Sequence, residues 1–289
     1  MPFLYLISGC IMATSCHSGE THAGNYPLHI ICKLPKELDE CSGLKSLNAS
    51  LFVALNDGGD KPVLYLFDLN KENAARKVKV SNVENNDWEE IETDNDFVYI
   101  GDTGNNGGTR HNLAIYKIKK TDLMSKDEVD PEKIMISYEG QTSFHDSNRH
   151  NFDCEAMVSV GDSLYLFSKN RGDHRTDVYC ISKTPGTYTL RKLTSFDAMG
   201  LISGADYKTG SSGPELILIG YDIMSHVHHP FLIHFTGFSG TNFFTGSSSR
   251  IVLDQDLQTE SVQFHGIDQL YISNEETKSQ KGYLYSLTF

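Results

Sequence analysis

The sequence predicts an all-β fold, a five-bladed β-propeller closed by an N-terminal strand, on three observations. A short polar cluster, a strand, a tight turn and a second strand recur five times. Each recurrence is followed by further runs of period-2 or aliphatic character, and helix signals are nearly absent. One strand-like run ahead of the first recurrence has no partner, while the last recurrence lacks a fourth strand.

Taken in order, the unpartnered run is Pro27-Leu-His-Ile-Ile-Cys-Lys-Leu34. Unit one opens with Glu40-Cys-Ser-Gly-Leu44 and continues through Leu51-Phe-Val-Ala-Leu55, Val63-Leu-Tyr-Leu-Phe67 and Arg76-Lys-Val-Lys-Val80. Unit two has Asp87-Trp-Glu-Glu-Ile91, Phe97-Val-Tyr-Ile100, Leu113-Ala-Ile-Tyr116 and Lys133-Ile-Met-Ile-Ser137. Between its last two strands, Pro131 and scattered charges make 119–133 a loop rather than a helix. Unit three has Asp153-Cys-Glu-Ala-Met157, Leu164-Tyr-Leu-Phe167, Asp177-Val-Tyr-Cys-Ile181 and Tyr188-Thr-Leu-Arg-Lys-Leu193. Unit four is weaker, with Leu201-Ile-Ser-Gly-Ala205, Leu216-Ile-Leu-Ile219, Pro230-Phe-Leu-Ile-His-Phe235 and Arg250-Ile-Val-Leu253. Unit five has Gln258-Thr-Glu-Ser-Val262, Leu270-Tyr-Ile272 and Tyr283-Leu-Tyr-Ser-Leu287. Its missing outer strand is supplied by the run at 27–34, which removes a free sheet edge. The intervals from Glu89 to Glu155 and from Ser203 to Glu260 are the longest, so insertions fall in units two and four.

The chain divides into 1–16, a lipoprotein-type signal segment, 17–26, a short linker, and 27–289, one propeller domain. Met1 to Ser15 is apolar without a charged side chain and runs through small residues into Cys16 and a polar stretch. Cys16 is the expected lipidated residue, and Cys10, after Ile7-Ser-Gly, is the alternative. The segment departs from the usual pattern in lacking a positive start, and it is too short to span a bilayer. Export with lipid anchoring in a bacterial cell envelope, periplasmic or outer-membrane, is the expectation, with plain secretion as the alternative and no other membrane contact. With 25 basic and 38 acidic residues the net charge is −13. That balance argues against nucleic acid, whose phosphates are bound mainly by Lys and Arg. The remaining Cys32, Cys41, Cys154 and Cys180 show no Cys-x-x-Cys spacing and read as free thiols.

Blade geometry brings the start of each first strand and the end of each second strand to one mouth of the channel. The first ring is then Ser42, Glu89, Glu155, Ser203 and Glu260. The second is Asn56, Asp102, Lys169, Tyr221 and Asn274, with Asp57, Thr103, Asn170, Asp222 and Glu275 next along. Three glutamates in one narrow channel repel one another unless neutralised, and the oxygen-only donor set suits a hard ion such as Ca2+. Lys169 or shared protons are the alternative neutralisers. The loops over this mouth carry Arg110 and Arg171, which with Lys169 form a small basic patch for a polar or anionic ligand. His226 and His228 alternate in a loop and fix no metal geometry. The sequence has no nucleophile elbow, Walker loop, dinucleotide fingerprint or His-Glu-x-x-His.

The Glu-x-Ser-Gly-Leu, Asp-Trp-Glu-Glu-Ile, Glu-Ala-Met and Ile-Ser-Gly-Ala-Asp phrases, with Tyr99-Ile-Gly-Asp-Thr-Gly-Asn-Asn106, resemble the SdiA-regulated (YjiK-like) and related bacterial exported propellers over about 27–289. The resemblance implies a channel-top calcium site on Glu89, Glu155 and Glu260, supplemented by Asn56, Asp102 and Asn274. Two of the five ring positions carry serine instead of an acid. The family implies no defined activity. The expectation is therefore a monomeric propeller binding Ca2+ and a small polar or anionic ligand. Lys169, Arg171, Arg110, Tyr221 and Asp57 are the expected ligand contacts. A calcium-dependent hydrolase of phosphate esters or lactones, and a platform for a protein partner, are the alternatives.

Overall fold

The computed structural model describes residues 20–22, 26–71, 75–224, 227–278 and 280–289. The strands form five antiparallel blades, each starting at the channel and stepping outward. Blade one is Cys41–Ser46, Leu51–Asn56, Val63–Asp68 and Arg76–Val80; blade two is Glu90–Thr93, Phe97–Asp102, Ala114–Lys119 and Glu132–Tyr138. Blade three is Cys154–Val160, Ser163–Ser168, Thr176–Ser182 and Lys192–Phe196. Blade four is Leu201–Gly210, Gly213–Met224, Val227–Thr236 and Ser247–Val252. Blade five is Thr259–His265, Gln269–Asn274, Tyr283–Thr288 and, on its outside, His29–Lys33, where His29 pairs with Ser286 and Lys33 with Tyr283.

Both faces of every blade are covered, because successive side chains point to opposite faces and each face meets a neighbouring blade. Val98 and Ile100 pack with Leu55 and Val53 of blade one, whereas Tyr99 between them packs with Leu164 and Met157 of blade three. The five buried clusters occupy the five seams between blades, including one where Leu284 and Tyr271 of blade five meet Leu44 and Phe52 of blade one. Double burial explains why the second strands read as unbroken apolar and aromatic runs. Close approach also needs glycine. A Cβ on Gly43 would lie 2.9 Å from the Ile91 nitrogen, and one on Gly204 would lie 2.8 Å from the Glu260 carbonyl oxygen.

Three short segments tie the rim together by parallel pairing. Glu128–Val129 adds to blade one, Gly186–Leu190 to blade two and Glu20–His22 to blade four. In each case the segment precedes the outer strand of the next blade and pairs with the blade before it. This arrangement corrects three expectations. The run at 188–193 is split: Gly186–Leu190 crosses to blade two, and Lys192–Phe196 is the true outer strand of blade three. The segment 17–26 contains the strand Glu20–His22. Lys120–Ser125 is a six-residue helix rather than loop, anchored by the fully buried Leu123 in the seam of blades one and two. Cys41 and Cys154 are buried free thiols, Cys32 and Cys180 are half-buried free thiols, and Cys10 and Cys16 lie outside the described residues.

Candidate functional site at the channel mouth

The ring positions share one backbone device. The pairing of the first two strands slips by one residue at Ser42, Glu155, Ser203 and Glu260. In blade two Glu90 pairs with Gly101 while the Glu89 N–H also donates to the Gly101 carbonyl at 2.9 Å. A bulge of this kind re-aims one side chain out of the pleat, and here it acts in every blade at the channel mouth. A hydroxyl from the preceding blade then fixes each glutamate. Ser42 donates to the carbonyl of Trp88, Thr103 to that of Cys154 and Ser203 to that of Thr259, at 2.8, 2.8 and 2.6 Å. Those carbonyls stand immediately before Glu89, Glu155 and Glu260.

The glutamates open on a cavity of about 120 Å3. Six carboxylates line it, from Glu40, Asp57, Glu89, Glu155, Glu260 and Glu275, against two cations, Lys169 and Arg171. Both cations are already engaged. Lys169 donates to Glu155 and lies 5.1 Å from the centre of the Tyr221 ring. Arg171 donates to Asp153 at 3.0 Å, lies 3.5 Å from Glu155 and also meets Asn106. Burial works against the Lys169 ammonium, yet Glu155, Tyr221 and Glu260 hold its pKa well above the usual lysine value.

For the acids, burial outweighs what the two cations offer. Burial, then the charges of Glu155, Asp57 and Asp87, raises Glu89 well above the ordinary carboxylate range. Burial raises Glu260 in the same way, with Glu155 adding to it and Lys169 opposing. Burial pushes Glu155 up to about 7 although Lys169 opposes it. Asp87 is pushed up to about 7 by burial and then by Asp57 and Asp153, and Glu275 to about 7 by burial and then by Asp57 and Glu40.

Among the described residues, the carboxylates close enough to share one ion are Asp57, Asp87 and Glu89, with ligand oxygens within 4.8 Å of one another. Two glycines make room for them. A Cβ on Gly58 would fall 2.5 Å from an Asp87 oxygen, and one on Gly104 would fall 2.4 Å from Glu89 and 2.5 Å from Asp87. Glu89 is 4% exposed, and its carboxyl has no hydrogen-bond partner among the described residues. The donor chemistry, oxygen only and carboxylate-rich, fits a hard divalent cation.

Below the mouth the channel is crossed by a buried lysine. Lys45 of blade one reaches Asp206 of blade four at 2.7 Å, the Ala205 carbonyl at 3.0 Å and Glu92 of blade two at 3.2 Å. Lys45, Glu92 and Asp206 each lie three residues beyond a ring position, so one register supplies both the acidic mouth and its floor.

Several sequence-nominated residues stand elsewhere. Asp102 is spent on Arg110, Tyr116, Asn86 and the Asp87 N–H, so neither it nor Arg110 lines the cavity. Asn56 donates to Glu37 and Asp60, and Asn274 to the carbonyls of Glu275 and Lys281; both brace strand ends outside the cavity lining. Glu89, Glu155, Glu260, Lys169, Arg171, Tyr221 and Asp57 do come together. His228 meets Asp256 rather than joining a metal set, and His226 lies outside the described residues. Sequence reasoning missed the tier two residues before the ring, namely Glu40, Asp87, Asp153 and Gln258. Its signal was present as the spaced pairs Asp87-Trp-Glu89 and Asp153-Cys-Glu155, in which the residue between the two acids, Trp88 or Cys154, is buried in a seam.

Fold and site together define a five-bladed propeller with an acidic, one-ended channel mouth. It is similar in structure to an exo-1,5-alpha-L-arabinanase from a bovine ruminal metagenomic library, at 11% identity and a TM-score of 0.47, over 92% of this chain and 94% of that one. It is also similar to RS223 β-xylosidase, at 12% identity and a TM-score of 0.38, over 70% and 71% of the two chains. No family model matches the sequence, and no curated protein matches it. The resemblance to the SdiA-regulated propellers therefore rests on the quoted motifs alone.

Proposed function

We propose that the channel mouth takes up a hard divalent cation, calcium by its oxygen chemistry, together with a small polar or anionic ligand. The observation that carries the reading is Glu89, a buried carboxyl that faces the cavity beside Asp57 and Asp87 with no hydrogen-bond partner among the described residues. Those three residues would hold the ion, and it would supply the positive charge that six lining carboxylates lack. Lys169 and Arg171, from blade three, offer donors to an anionic part of the ligand.

Calcium added to thoroughly chelated protein should raise Tm, the gain in unfolding free energy growing with the logarithm of its concentration above Kd and reaching about 2.7 kcal/mol at a hundredfold excess. Glu89→Gln should keep the fold and weaken calcium binding roughly tenfold or more, by removing one charge from a hard-ion site. An unchanged Tm for the wild type sinks the cation reading. A second reading, a calcium-dependent hydrolase of phosphate esters or lactones, is favoured by the carboxyl of Glu155, which lines the cavity outside the three ion-holding residues. Held at about 7, it suits proton transfer at neutral pH. That reading requires turnover of such an ester that Glu155→Gln abolishes; binding without turnover leaves the first reading.

The proposal extends to location and kinship. The apolar segment ending at Cys16, or at Cys10, is the basis for a lipid-anchored place in the bacterial cell envelope, and the recurrent motifs for kinship with the SdiA-regulated propellers. Replacing each cysteine with serine should move the protein from the membrane to the soluble fraction, and retention in the membrane with both replaced counts against the anchor.

A further inference from the structure

A second cavity, of about 430 Å3, lies where blades two and three meet and shares no lining residue with the channel mouth. The crossing of the chain builds it. The chain leaves blade three after Thr176–Ser182, pairs Gly186–Leu190 with blade two, and returns as Lys192–Phe196. The return turn thus forms one wall of the cavity. Its volume falls within the range common for small-molecule sites, about 300–1,000 Å3.

The lining carries compensated charge and spare hydrogen-bonding capacity. Arg191 pairs with Glu139 at 2.8 Å and Lys192 with Asp177 at 3.3 Å, so neither sign is left over to select a charged ligand. Asp177 is 4% exposed, and Lys192 is the one side chain that bonds its carboxylate among the described residues. Tyr179, also 4% exposed, has a phenol with no hydrogen-bond partner among the described residues. The two stand at alternate positions of one strand and both line the cavity. The Tyr179 hydroxyl, and the Asp177 carboxylate beyond the one oxygen that Lys192 engages, line the cavity with hydrogen-bonding capacity to spare, and that is where a ligand's polar edge fits. The Phe152 ring adds an apolar wall.

We propose that this cavity binds a single pyranose ring. A carboxylate that can only accept hydrogen bonds suits adjacent hydroxyls that donate, and the phenol can do either. The apolar face of the sugar ring packs against Phe152 and Tyr179. This site is independent of the cation reading at the mouth.

Saturation-transfer NMR on the full-length protein with methyl glycosides of glucose, galactose, mannose, xylose and N-acetylglucosamine tests the proposal. At least one glycoside should receive saturation on its ring protons. Tyr179→Phe, which keeps the ring, and Asp177→Asn should each weaken that glycoside roughly tenfold with Tm little changed. Glu89→Gln at the mouth should leave it unaffected. The proposal fails if no glycoside receives saturation, which means a water-filled cavity. It fails equally if neither cavity variant alters binding, or if Glu89→Gln removes it.

Discussion

Glu89 gathers the chemistry of the mouth because burial, repulsion from other acids and the lack of a hydrogen-bond partner among the described residues act on one carboxyl. Its neighbours feel the same pressures, so the mouth has a definite response to pH. Glu155, Asp87 and Glu275 are held at about 7, above their ordinary values of 4.5, 3.8 and 4.5. A carboxyl whose folded pKa is raised holds its proton more tightly in the native state. Its stabilising contribution is complete below the unfolded pKa and is lost as pH rises through the folded one. The Tm of chelated protein should therefore fall between about pH 4.5 and pH 7.5, by at least about 3 °C in thermal denaturation. A flat or rising Tm over that window contradicts these ionisation states. A cation that competes with the protons should flatten the fall, which links this measurement to the calcium titration. The sequence already showed three acids of the mouth, Glu89, Glu155 and Glu260, at equivalent positions. It could not show how many lacked a partner, since Asp102 looks the same in sequence and is neutralised by Arg110.

At the scale of the element, each glutamate is aimed by two local devices, a bulge in its own blade and a hydroxyl from the blade before. The Ser-Gly pairs at 42–43 and 203–204 serve both, since the serine donates across the seam and the glycine lets the backbones approach. Gly204→Ala should therefore damage the seam of blades four and five and press on Glu260 at the mouth. Its Cβ meets the backbone of Glu260 and Ser261, which has no side-chain freedom to yield. We expect a loss of about 1–3 kcal/mol in urea denaturation. Unchanged stability would show that the blades can part without cost. The serines were legible as members of the ring, but their bonds to Trp88 and Thr259 depend on how neighbouring blades are set. A ring residue that donates to a carbonyl leaves the same sequence trace as one that faces the channel.

For the whole molecule, five seams and the rim pairings hold the propeller together. The outer strand His29–Lys33 covers Tyr283–Thr288, and Leu34 and Leu38 continue into the seam of blades five and one. Removing residues 1–35 should expose the edge at 283–288 and take away Leu34, giving a lower Tm and aggregation by size-exclusion chromatography. A truncated protein that stays monomeric and melts like the full chain would falsify a structural role for this strand. Lys45 works at the same scale, joining blades one, two and four beneath the mouth.

The sequence by itself determined what repeats locally. Alternating and apolar runs set the strands, the phase of the repeat set five blades, and the shared position of Glu89, Glu155 and Glu260 set the ring. Period and phase are properties of a few neighbouring residues and survive in one dimension. The tertiary structure decided what depends on distant partners. It sent Gly186–Leu190 to the neighbouring blade, because a parallel edge partner leaves no local pattern. It spent Asp102, Asn56 and Asn274 on strand ends and brought Asp57 and Asp87 to Glu89 instead. It also closed the channel with Lys45, paired to an acid 161 residues away. Charge compensation is settled in space, and a carboxylate's neighbours across a seam are not written beside it in the chain.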